Sequence, residues 1–377
     1  MSLTQTARNT RKAVTLSIIL LIVLATGKVA WGVAVTVYQN YFPPEEALPE
    51  TGFGKIPPQN IPGLEIEGEN VAYTLETPTG RLPDLPSQLP VFPIKRVSTT
   101  PLKSQRAQEL AAQLGFSSPP KILSSSSQRF IAEAKSMEIN IVSLNFSLDT
   151  DLSILGKSLS PGSAPPEERA KTEATGFLDR LNLPSPTANR SQKTTSYLKI
   201  ENGQLREAGS LSDAHLTRVD IIKQLDVSGQ SYPILGPNPK EGSIWVAISQ
   251  QQGEWLGRFP LAKYQNWEAE EDRGSTYPLE TPEQIWRRLL AGEGRVTYLK
   301  KQGADPHESF SLPQPESVHI YKAYLAYFES PQPQKYLAPI FVFEGLIGTG
   351  NRERWDCVVY LPAVTEEWFE NGARPGE

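Results

Sequence analysis

The sequence predicts an α+β protein: an N-terminal transmembrane helix followed by an ectodomain of tandem helix-plus-antiparallel-sheet units. Three observations carry that expectation. One long apolar run lies near the N-terminus. Helix-period and strand-period patterns alternate after it. Pro accounts for 33 of 377 residues, too many for one long helical bundle.

The apolar run is AVTLSIILLIVLATGKVAWGVAVTVY, residues 13–38. As a helix it would extend about 39 Å, more than the ~30 Å hydrocarbon core of a bilayer. Lys28 interrupts it and can snorkel outward if the span ends near Val33. Trp31, Tyr38 and Tyr41 suit the outer interface. Arg8, Arg11 and Lys12 precede the run, and no acidic residue comes before Glu45. The positive-inside rule then leaves 1–12 in the cytoplasm and the rest of the chain outside. The expectation is an uncleaved signal-anchor in the cytoplasmic membrane, with the lipid bilayer as partner through 13–38. A cleaved signal peptide fits less well, because its apolar region is about 7–15 residues long.

Residues 39–65 carry Pro43, Pro44, Pro49, Pro57, Pro58 and Pro62, and read as an extended tether. Inside lies LPETG (Leu48, Pro49, Glu50, Thr51 and Gly52), which resembles the recognition motif of sortase. Cleavage would fall between Thr51 and Gly52. A sorting signal needs an apolar span and a basic tail after it, yet the chain ends EEWFENGARPGE. Chance occurrence in a Pro-rich tether is the better account.

Three units follow, over 66–160, 161–270 and 271–364, with a tail over 365–377. Val71–Glu76 alternates like a strand, and Gln88–Val97 is a second apolar run. In Pro101–Phe116, Ala107, Leu110, Ala111 and Leu114 mark one helix face, with Thr100 as N-cap and Gly115 as stop. Ile139–Phe146 reads as strand. Ala174, Phe177, Leu181 and Leu183 in the second unit repeat Ala107, Leu110, Leu114 and Phe116 at an offset of 67, a weak internal repeat. In the third unit Thr281–Gln284 is a capping box with Pro282 at the first helical position. Three strand signals follow: Val318–Phe328, Tyr336–Gly345 and Trp355–Val364.

The order TPEQIWRRLLAGEG, VHIYKAYLAYFES, YLAPIFVFEG and WDCVVYLPAV resembles the C-terminal domain of the YycH/YycI regulators and, more loosely, PepSY domains. The resemblance covers residues 281–364 and the N-terminal topology. It implies a helix-plus-antiparallel-sheet unit in a single-pass protein that tunes a sensor kinase. It brings no catalytic residues.

Chemistry is sparse. Net charge is -5, so no basic field exists for nucleic acid. His215, His307 and His319 are far apart and Cys357 is alone, so no metal-ligand spacing appears. Cys357, within an apolar strand signal, reads as a buried thiol. Ser124–Ser127 reads as a turn or soft strand and sits in no nucleophile motif. Glu268, Glu270, Glu271 and Asp272 could act as paired carboxylates, but fit a solvated loop better. Gly345, Gly348 and Gly350 follow a strand but precede another strand, so they read as a hairpin loop rather than a phosphate loop. Trp245, Trp255 and Trp267 could form a glycan-stacking platform, though core positions in successive strands fit better. The residues point to a non-catalytic interaction or regulatory role in the cell envelope, without cofactor or metal, and with a protein such as a sensor kinase as partner. A glycan- or peptidoglycan-binding module and an envelope hydrolase of unrecognised type are the alternatives.

Overall fold

Strand outweighs helix among the described residues. The structure, a computed structural model, describes residues 26–28, 31, 34, 48–64, 71–95, 100–184, 186, 190–250, 255–302, 312–350 and 353–370. The chain divides into a unit Met1–Leu48 and a unit Pro49–Glu377.

The expected membrane helix over 13–38 lies almost wholly outside the described residues. Of that stretch 26–28, 31 and 34 are described, and they are helical. Among the described residues no helix is long and apolar enough to cross a membrane. The longest has 14 residues, Glu167–Arg180, where a span needs about 20. The single-pass topology, the bilayer as partner and the cytoplasmic-membrane location are therefore corrected.

In chain order the described elements are β1 (Ala72–Leu75), β2 (Gln88–Pro93), α1 (Pro101–Gln113), β3 (Lys121–Ile122), β4 (Ser127–Ala132), β5 (Lys135–Asn140), β6 (Phe146–Thr150), α2 (Leu152–Ser158) and α3 (Glu167–Arg180). Then come β7 (Ser191–Glu201), β8 (Gln204–Glu207), β9 (Leu216–Val227), β10 (Gln230–Leu235), β11 (Ile244–Ile248), α4 (Trp255–Arg258), β12 (Leu261–Tyr264) and β13 (Ser275–Pro278). The last are α5 (Pro282–Leu290), β14 (Arg295–Lys301), β15 (Ser317–Phe328), β16 (Tyr336–Gly348) and β17 (Arg354–Pro362). Seventeen strands thus stand beside five α-helices among the described residues, so the expected α+β class is corrected to a mainly β architecture.

Nor are the strands arranged as tandem units. One antiparallel sheet runs β8–β7–β9–β11–β12–β6–β5–β4–β3. It joins the first two expected units through β6 and β12, where Phe146 pairs with Tyr264. A second sheet runs β14–β17–β16–β15, with β1 and β10 lying parallel along one edge of β15. Strand β10 also pairs with the far end of β9, which ties the two sheets together. Pairing is set by which apolar faces can be buried together, and that ignores order in the chain.

Helices α1 and α3 cover one face of the first sheet. Ala107, Leu110, Leu114, Phe116, Ala174, Phe177, Leu181 and Leu183 all enter one core with Val219, Ile221 and Val246. Each fully buried Leu or Phe there contributes roughly 1.5–3 kcal/mol. The two helices also end alike. Gly115 (φ 76°) and Asn182 (φ 51°) take the left-handed conformation, and Phe116 and Leu183 donate their N–H back to Ala111 and Leu178. Arg106 of α1 donates to the carbonyl of Leu181 at 2.6 Å, and Lys135 to that of Leu114 at 3.0 Å. Cations are favoured at these negative helix ends. Thr100 holds the N-cap position of α1, but its side chain makes no cap bond.

In the second sheet, α5 lays Ile285 and Leu289 on the core. Its capping box forms: Thr281 N–H donates to Gln284 Oε1 at 2.7 Å, and Gln284 N–H to Thr281 Oγ1 at 3.3 Å. Non-helical chain covers the rest of the second sheet, pinned by tyrosines. Tyr277, Tyr327 and Tyr360 donate their hydroxyls to the carbonyls of Gly54, Pro90 and Gly236.

Candidate functional site

Strand β9 explains where the site sits. Val219, Ile221, Lys223 and Leu225 alternate onto one face of it. Helix α3 covers this face at Val219 and Ile221, then stops, and Asn182 turns the chain away. Lys223 is thus the position where helical cover ends. A cavity of about 250 Å³ opens there, lined by Pro184, Pro186, Arg190, Lys223, Asn266 and Trp267, among others.

Lys223 is buried, at 7% exposure. Its Nζ pairs with Glu329, which follows β15 and is 1% exposed, and donates to Asn266 Oδ1 at 3.1 Å. Trp267 N–H donates to the same Glu329 oxygen at 3.0 Å. Asn266 N–H donates to Asn145 Oδ1 at 3.0 Å. The indole N–H of Trp267 reaches the Ser330 carbonyl at 2.9 Å. Tyr264 donates its hydroxyl to the Pro184 carbonyl at 3.1 Å, and burial pushes that phenol up to about 12. It therefore remains a donor at every physiological pH. The floor is a buried ion pair inside a hydrogen-bond network that spans both sheets. At the rim Arg190 pairs with Glu271, and Lys95 with Glu268 at 3.1 Å.

The acidic cluster is thus partly drawn to this cavity. Glu268 and Glu271 line it, and each has a cationic partner. Glu270 pairs with Arg273, and Asp272 sits in the 3₁₀ turn Glu271–Arg273. Among the described residues no group of three potential ligands could hold a metal ion. Trp267 lines the cavity, whereas Trp245 lies under Arg218, whose guanidinium sits 4.3 Å from its ring centroid beside a different core. The expected platform is therefore not assembled from these two rings.

The other singled-out residues lie elsewhere. Cys357 is buried in β17, and burial, with Asp356 adding to it, pushes its thiol up to about 12. His215 is buried and its Nδ1 accepts from Ile200 N–H. His307 lies outside the described residues. Gly345 and Gly348 belong to β16, so the hairpin turn comes later than the glycines suggested. A Cβ at Gly345 would meet the His319 carbonyl at 2.8 Å, which is why glycine stands there. Ser124 Oγ accepts from the N–H groups of Ser126 and Ser127, forming the β3–β4 turn.

His319 has partners no spacing announced. Its Nδ1 lies 2.8 Å from both Glu76 Oε1 and Thr74 Oγ1, and its Nε2 3.1 Å from Ser317 Oγ. The order Ser–His–Glu copies a nucleophile relay. Ser317, however, sits mid-sheet between Ala72 and Gly348, and the neighbouring amides of Ala72 and Glu316 bond Glu316 and Gly348 carbonyls. An oxyanion would need free N–H donors there. The cluster is a cross-strand clasp that holds β1 on β15.

The LPETG residues are held rather than hanging free. Leu48 is 88% exposed. Beyond it, Glu50 N–H donates to Thr276 Oγ1, Thr51 N–H to the Thr276 carbonyl, and Gly52 N–H to Ser275 Oγ. Further along the expected tether, Ile56 and Ile61 are buried. A protease would have to peel this segment off β13.

Sequence reading missed the cavity, although one signal was present. A Lys in the apolar phase of LTRVDIIKQLDV is out of place on a buried face. Its partner Glu329, 106 residues away, carries no such mark.

No family model matches the chain, and no curated protein matches it either. Among solved structures, the crystal structure of an uncharacterised protein from Eubacterium rectale ATCC 33656 is similar to this chain at 10% identity. The match covers 74% of this chain and 85% of that one, with a TM-score of 0.38, too slight to carry an argument. No comparison places the chain in an enzyme family.

Proposed function

We propose that this chain is a non-catalytic binding protein that takes a small ligand, or a protruding group of a partner, into the cavity at the seam of its two sheets. The observation that carries the reading is Lys223 in the cavity lining, paired with the buried Glu329 behind it. Desolvating such a pair costs several kcal/mol per ion, and well-packed apolar residues often stabilise as well or better. A charged floor therefore gains the fold little and suits recognition. The regulatory side of the reading is supported by the resemblance of residues 281–364 to the YycH/YycI regulators.

The test is thermal melting of the purified chain against a small-molecule library, with Gln224→Trp as the variant that adds bulk at a residue of the cavity lining. Ligands bound to the folded state raise Tm by mass action. The expected result is a set of compounds that raise Tm of the native chain, leave Gln224→Trp unmoved, and are recovered unchanged. Compounds that raise both equally, or that are chemically converted, would overturn the proposal.

A further inference from the structure

We infer that the seam cavity takes a neutral saccharide ring, an inference that rests on the cavity being a binding site. Charge is the first argument. The lining carries two cations, Arg190 and Lys223, and two carboxylates, Glu268 and Glu271. Each is already matched: Arg190 with Glu271, Lys223 with Glu329, Glu268 with Lys95. No charge is left over to hold an ionic ligand, so a cation or an anion would enter without a counter-charge.

Hydrogen-bond valence is the second. The matched charge pairs at the rim set acceptors beside donors, since carboxylates accept and guanidinium or ammonium groups donate. A hydroxyl both gives and takes a hydrogen bond. A ring bearing several hydroxyls meets these groups without any net charge.

Shape is the third. Trp267, Pro184 and Pro186 supply stiff apolar surface to the cavity lining. A pyranose presents a hydrophobic C–H face beside its hydroxyl edge, and an aromatic wall with few convergent polar groups is the usual form of a small-ligand site. At about 250 Å³ the cavity is smaller than the ~300–1,000 Å³ of drug-sized pockets. It holds one ring, not a chain of rings. The glycan site is thus a single-tryptophan cavity at the seam, not a surface platform of several.

The experiment is titration calorimetry of the purified chain with methyl β-glucoside, N-acetylglucosamine, cellobiose and chitobiose, beside inorganic phosphate and the dipeptide Gly-Pro. At least one neutral sugar is expected to bind one-to-one with Kd of ~1 mM or tighter. Its Kd should change less than about twofold between ~50 mM and ~0.5 M salt, because no net charge is exchanged. Trp267→Ala should weaken it at least tenfold, as should Gln224→Trp. Trp267→Phe keeps the core packed and should lie between, which guards against simple unfolding. Failure of every neutral sugar at ~10 mM overturns the inference. If phosphate or Gly-Pro then binds and Gln224→Trp abolishes it, the cavity remains the binding site and only the saccharide falls. If no probe binds, both readings fall. A sugar that binds all three variants equally would also overturn the inference.

Discussion

Each sheet has one large core, and the two are covered differently. The first uses two helices with matching apolar faces and matching left-handed ends. Their own backbone bonds are internal, so the core beneath them needs few polar ties. The second has only α5, nine residues long, and closes the rest of its core with non-helical chain. Such chain brings carbonyls that must be satisfied. Tyr277, Tyr327 and Tyr360, all essentially buried, supply both bulk and the hydroxyl that meets those carbonyls. Where the two solutions meet, neither cover is complete, and the cavity opens.

The meeting point is where the comparison breaks most severely. Lys223→Met should strand a buried Glu329 carboxylate and cost about 3–5 kcal/mol in urea denaturation. Lys223→Met with Glu329→Leu should restore most of it, and a double variant no better than the single would refute the ion-pair account. Next, Tyr327→Phe removes one hydroxyl and leaves the Pro90 carbonyl unmet, for about 1–3 kcal/mol. An unchanged midpoint would show that the tyrosine ties are dispensable. In the helix-covered sheet, Gly115→Ala forces a side chain into φ 76° and should cost about 1–2 kcal/mol. Asn182→Gly at the equivalent end should stay within about 0.5 kcal/mol. Equal effects at the two ends would deny that they share one geometry.

The smallest effects distinguish the sheets by pH. Glu173, on α3, is opposed by burial, but hydrogen bonds from Arg258 and Arg169 outweigh it and hold its carboxyl below the usual 4.5. Its contribution is present above 4.5 and is lost as pH falls through the lower folded value. Glu280, beside α5, is raised by burial despite Arg288. Its contribution is complete below 4.5 and is lost as pH rises through the higher folded value. Denaturation midpoints across ~pH 3 to 7 should therefore show Glu173→Gln flattening the acid limb and Glu280→Gln flattening the limb above 4.5. The same limb flattened by both would contradict the assignment.

Sequence alone determined the features whose causes lie within a few residues. The capping box of α5 needs only Thr281 and Gln284, three apart. The apolar faces of α1 and α3, and their shared endings, follow from helical spacing and a residue that tolerates positive φ. The last three strands were legible for a local reason too, as near-continuous apolar runs. Ile139–Phe146 was not, because Asn140 Oδ1 takes the N–H of Val142 and Ser143 and folds the middle of that stretch into a turn. Tertiary structure alone decided that α1 and α3 share one sheet, that Thr51 and Gly52 lie along β13, and that Lys223 meets Glu329. It also decided that Trp245 and Trp267 belong to different cores. These pairings join residues tens to hundreds of positions apart. Their energy appears only when both partners leave water together, and no local pattern records that.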